Sequence, residues 1–139
     1  MPEARVSGLF ITPYHRGKSR PLSEASAIEG GLEGDYHVRP ASSRQILLLA
    51  HGILREFQIE PGDLRENITI DGVDVTELKR GQRLRVGAAV LEITTACEPC
   101  VQVDRLKPGL KDAIAGRRGM FARVVDPGAI RIGDDVQLL

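Results

Sequence analysis

Tryptophan is absent from this 139-residue chain, aromatic residues make up 4% of it, and it has two cysteines. Cys97 and Cys100 are too few for a disulfide framework and too close together to staple distant elements. In a reducing compartment such a pair reads as chemistry rather than architecture. No apolar run approaches the roughly 20 residues a membrane helix needs, and the N-terminus has no charged-then-apolar signal pattern. A cytoplasmic address and no membrane partner are expected. An excess of one charge is missing too, since 19 Lys and Arg face 19 Asp and Glu. Without an overall positive field, sequence-independent gripping of a phosphate backbone is disfavoured, and nucleic acid is not expected as a partner.

What is present points to one compact core. A chain of this length that is 42% apolar can bury well over half of its unfolded surface, so residues 1–139 are expected to form a single domain. Fifteen of the 19 basic residues are arginines, the side chain suited to planar, bidentate gripping of carboxylate or phosphate, although codon bias in a GC-rich genome gives the same excess. The apolar residues come in short runs broken by Gly, Pro, Asp and Asn, which favours many short strands over a helical bundle.

Strands are predicted at residues 6–12, 45–49 and 65–70, with a long glycine-rich loop at 29–37 and one or two helical turns at 51–57 before the Glu60-Pro-Gly-Asp63 turn. Alternation around Leu84 and Val86, then Ala89, Leu91 and Ile93, predicts a hairpin across Gly87 whose second strand runs into Cys97. Short helical segments are expected at 101–106 and 110–115. A closing pair of strands, 120–125 and 129–138, is expected across Asp126-Pro-Gly128. Mainly β structure closed into a barrel, with a few short peripheral helices, accounts for this pattern because closure removes exposed edges.

Cys97-x-x-Cys100 is the sharpest chemical feature. Structural zinc needs four ligands, usually from two paired motifs; there is no second cysteine pair, and His15, His37 and His51 lack ligand spacing. A thioredoxin-like dithiol wants a βαβ context, whereas a hairpin precedes this motif. The dithiol stays open as an alternative, and the third reading is one reactive thiolate, ligand to a soft metal or carrier of a persulfide, with the other cysteine beside it. The ordinary alternative of two small core hydrophobes suits Cys97 better than Cys100.

Other polar residues stand out in weaker ways. Asp35 and His37 lie two apart in a loop and can share a ligand or simply make a turn. Arg44 opens a very apolar strand, where it can also snorkel to water. Glu66 and Asn67 are poor strand formers at the start of a half-buried strand, so either local backbone bonds compensate for them or they face a heterocycle. Arg117 and Arg118 can cap a helix or hold a phosphate.

In order, Gly34-Asp35-x-His37, Arg44-Gln-Ile-Leu-Leu48, Pro61-Gly-Asp-Leu-Arg-Glu-Asn-Ile68, Gly81-x-x-Leu-x-Val-Gly87, Pro99-Cys100, Arg118-Gly119 and Gly133-Asp134 resemble the MOSC family, named for the C-terminus of eukaryotic molybdenum cofactor sulfurase. The resemblance spans nearly the whole chain. It implies a β-barrel with a cleft for molybdenum cofactor (molybdopterin). Cys100 would be the molybdenum ligand or the carrier of sulfur destined for the cofactor. Asp35, His37, Arg44, Glu66, Asn67 and Arg118 would line the cleft. Cys97 is not required by the resemblance. Larger relatives add an N-terminal β-barrel or a pyridoxal-phosphate desulfurase domain. Neither is found here, so a cysteine desulfurase or an electron-transfer protein is the implied partner. Three activities stay open: sulfur carriage, molybdenum-dependent reduction of N-hydroxylated compounds, and cofactor binding without turnover.

Overall fold

The computed structural model describes residues 4–98 and 101–139, the side chains of Val101 and Gln102 excepted. Its strands are β1 (Ala4–Ile11), β2 (Arg20–Pro21), β3 (Glu24–Ile28), β4 (Gly31–Leu32), β5 (Ile46–Ala50), β6 (Ile68–Asp71), β7 (Arg83–Val86), β8 (Ala89–Ala96), β9 (Met120–Asp126), β10 (Gly128–Arg131) and β11 (Asp135–Leu138). Helix α1 (His51–Glu56) follows β5 directly, and α2 (Leu110–Ala113) precedes β9; single 3-10 turns lie at Val75–Glu77 and Val101–Arg105. No helix among the described residues is long and apolar enough to cross a membrane.

The hydrogen-bonded order β11-β7-β8-β9-β5-β6-β1 closes on itself through pairing of β11 with β1, giving a seven-stranded barrel with β2 appended to β1. Strands β10, β3 and β4 make a separate small sheet. The core packs against both faces of β5. Leu9, Ile46, Leu48, Leu49, Ile68, Ile70, Leu84, Leu91 and Ile93 are essentially sealed from water, each contributing about 1.5–3 kcal/mol of transfer free energy on burial. Strand β5 is apolar at every position because all five residues are buried.

One pair in the ring is parallel: β5 runs beside β6, with Leu48 opposite Ile68 and Ala50 opposite Ile70. Parallel neighbours need a long crossover, and residues 51–67 supply it through α1, the Pro61-Gly62 turn and the buried Leu64. That crossover carries Arg65, Glu66 and Asn67 to one end of the barrel.

The structure revises three expectations. The strand expected over 65–70 covers Ile68–Asp71, because Arg65 turns into the left-handed region (φ 58°) and breaks the extended run. The loop expected over 29–37 contains β4, which pairs with the unanticipated β3. Residues 120–125 and 129–138 are not partners. β9 pairs with β8 and β5, whereas the second segment divides into β10, which pairs with β3, and β11, which pairs with β7 and β1. The division falls at Gly133, whose φ of 90° takes the chain out of β10.

Candidate functional site

Two adjacent hollows open where the 61–66 segment meets the loop after β1, and Asp63 and Arg65 line both. The first, about 460 Å3, is bounded by Phe10, Arg16, Gly17, Lys18, Ser19, Pro21 and Pro61–Asp63. Glycine suits position 62: its φ is 91°, and a Cβ would stand 3.2 Å from Ser19 Oγ, so another residue would be strained and crowded there. That hydroxyl is sealed from water and has no hydrogen-bond partner.

The second hollow, about 280 Å3, is bounded by Leu64, Val103, Arg105, Leu106 and Arg118. Arg118 is 9% exposed, and its Nη2 donates to the Leu64 carbonyl. Its Nε and Nη1 are buried without partners among the described residues. Leaving donors of a charged group unpaired costs about 1–3 kcal/mol each, or more. Arg65, between the hollows, holds its own cost of about 1–3 kcal/mol as a non-glycine residue in the left-handed region.

Glu66 lies beneath this segment, 1% exposed. One carboxylate oxygen accepts the Gly62 N–H at 2.8 Å and the other has no partner. Burial pushes its pKa above the ordinary 4.5, against the pull of the Gly62 N–H and the nearby Arg118 charge. Asn67 is spent on the scaffold: its Oδ1 accepts the Leu47 N–H at 2.9 Å and its Nδ2 donates to the Phe10 carbonyl at 3.1 Å. Asp35 is buried, accepting the Thr12 N–H at 2.7 Å through one oxygen; the other lies 3.1 Å from His37 Nδ1. It thereby fixes a half-exposed imidazole that stacks on Tyr36 at 3.9 Å.

The expected residues thus gather unevenly. Asn67 is bonded to Phe10, Glu66 to Gly62 and Arg118 to Leu64, three residues that line the hollows, whereas Asp35 is bonded to Thr12, which lines neither. Arg44 sits elsewhere, exposed, with its guanidinium 5.6 Å from the centre of the Phe121 ring. Arg117 is held away by a bidentate pair with Glu56 at 2.6 and 2.8 Å. Cys100 lies outside the described residues. The chain on either side of it is described. Before it, the Cys97 N–H donates to the carbonyl of Gly119, next to Arg118; after it, Val103 and Arg105 line the second hollow. Gly119 permits this approach, since a Cβ there would meet the Leu48 carbonyl at 2.6 Å.

Sequence reasoning missed Arg16, Lys18, Ser19, Arg65 and Arg105. For the first three the signal was a run of basic and small residues, Arg16-Gly-Lys-Ser-Arg20, in a loop just after an apolar strand. Among the described residues no three His, Cys, Asp or Glu side chains cluster as metal ligands do.

The family model of the MOSC domain matches residues 26–137. Among solved structures, the YuaD protein from Bacillus subtilis superimposes with a TM-score of 0.82 at 24% identity, covering 97% of this chain and 94% of that one. YiiM from Geobacillus stearothermophilus gives 0.80 at 17% identity over 98% and 75% of the two chains. YiiM from Escherichia coli gives 0.73 at 19% identity over 97% and 69%. No curated protein matches the chain.

Proposed function

Since the chain belongs to the MOSC domain family, we propose that it binds molybdenum cofactor, with Cys100 as the thiolate that ligates the metal or carries sulfur to it. The observation that carries this reading is the pair of basic hollows meeting at Arg65, with polar atoms of Ser19 and Arg118 buried in their walls and without a partner among the described residues. The donor set fits the group. A soft thiolate suits a thiophilic metal, and cationic and hydroxyl donors suit a pterin bearing a phosphate. Arg16, Lys18 and Ser19 are assigned to the phosphate, which a hollow with three cations and one carboxylate attracts. The described chain before Cys100 bonds to Gly119 through the Cys97 N–H, and the described chain after it lines the second hollow with Val103 and Arg105.

The bound metal would supply two-electron redox chemistry or accept sulfur. The protein's part is to hold and orient. Asp35 fixes His37, Asn67 fixes the strand ends beneath the first hollow, and Glu66 shapes the Gly62 turn. Arg44 and Arg118 complete the proposed set, Arg44 from the exposed start of the β5 segment. A cysteine desulfurase or an electron donor is the proposed partner.

Metal and pterin analysis of protein expressed in a host that makes molybdenum cofactor tests the reading. Molybdenum and pterin should copurify, and Cys100→Ser should lose the molybdenum while Cys97→Ala keeps most of it. Protein that emerges free of both, from cells loaded with cofactor, would refute it. Sulfur carriage is separated from reduction by mass: a carrier gains about one sulfur atom on Cys100 after desulfurase treatment.

A further inference from the structure

We infer that the second hollow, floored by Arg118, is a separate oxyanion site, and that the molecule this protein acts on or receives carries a phosphate-type group that docks there. This rests on the proposed function and deepens it by naming a substrate class.

Three observations converge on the site. Arg118 is more than nine-tenths buried, lines the hollow, and has two nitrogens without a hydrogen-bond partner among the described residues. A guanidinium held this way presents a planar donor edge matched to two oxygens of one anion. Burial keeps solvent from competing for those donors, and the contact of Nη2 with the Leu64 carbonyl fixes the side chain in advance of binding.

Charge decides which anion. Three arginines, 65, 105 and 118, face the hollow against one carboxylate, Asp63, leaving two positive charges in excess. That excess favours a dianion such as a phosphate monoester over a single carboxylate. Arg65, strained and exposed between the hollows, can reach either side, whereas Arg118 and Arg105 border the second alone and Arg16 and Lys18 the first alone. Two anions can therefore be held at once, one belonging to the cofactor and one to the substrate.

Inorganic phosphate is the probe. The full chain, without cofactor, is titrated with phosphate and followed by backbone amide shifts at Leu64, Arg65, Val103 and Leu106. The expected result is saturable binding that weakens about tenfold or more in Arg118→Met, the loss of a charge-assisted pair of bonds. Arg105→Ser, at an exposed position, should weaken it severalfold without disturbing the fold. Lys18→Ala should leave the response of these amides in place. The proposal is overturned if phosphate does not perturb these amides, or if Lys18→Ala abolishes their response. It is equally overturned if folded Arg118→Met titrates as the wild type does, or, should that variant not fold, if Arg105→Ser does so. Failure of the cofactor reading looks different: phosphate binds the second hollow as described, yet molybdenum and pterin never copurify.

Discussion

Burial and charge are in tension at Glu66. The carboxyl is almost wholly enclosed, has one backbone N–H for company, and is pushed above its ordinary pKa chiefly by loss of water. A raised folded pKa means that the stability it contributes is fully present below 4.5 and is lost as pH rises through the folded value. Glu66→Gln keeps an oxygen for the Gly62 N–H and has no proton to lose. Urea unfolding at a series of pH values should therefore show the variant gaining on the wild type from pH 4 towards neutrality; superimposable profiles would mean that Glu66 keeps an ordinary pKa. Two other residues nearby also cost stability, Arg65 by its backbone and Arg118 by its unpaired nitrogens. Three such costs around one hollow mark a place shaped for something other than stability.

Among the elements, those whose apolar pattern has a single period were legible. Strand β1, the fully buried β5, the β7–β8 hairpin and α1 all lie within a residue or two of where periodicity and turn residues put them. The parallel pairing of β5 with β6 was not, since nothing in a buried apolar strand states which neighbour it will take. Nor was the division of 129–138, where the same alternation serves two sheets. The candidate site was legible in its conspicuous residues and illegible in Arg16, Lys18 and Ser19, whose meaning comes from the turn of the crossover that faces them. Asn67 shows both sides. Its poor fit to a strand signalled a compensation, and the compensation is a carboxamide bonded to β5 and β1 at once. Asn67→Leu strands the Leu47 N–H and the Phe10 carbonyl in a dry place. A loss of about 2–5 kcal/mol in unfolding free energy is expected from two buried groups left unmade; chemical denaturation reads it, and a change under about 0.5 kcal/mol, the size of ordinary surface effects, would show that neither bond matters.

For the whole molecule the decisive contact is between the ends of the described chain. β11 lies between β7 and β1, with Val136 opposite both Val86 and Ala4, so the last strand turns an open sheet into a ring. Until it docks, β1 and β7 each expose an unpaired edge, which leaves the core unsealed. The faces of β11 are unequal: Val136 points into the core and is buried, whereas Gln137 is exposed opposite Arg85. Val136→Asp thus puts a carboxylate where no partner waits, and about 3–5 kcal/mol of stability should go, enough to unfold a domain of ordinary stability. Gln137→Asp, one residue on, adds the same charge on the solvent side near an arginine and should change stability by less than about 0.5 kcal/mol. Thermal unfolding of the two variants side by side separates closure from composition. Equal losses would mean that the last strand is merely laid on the surface, and that the two hollows at the barrel's end do not depend on the ring being shut.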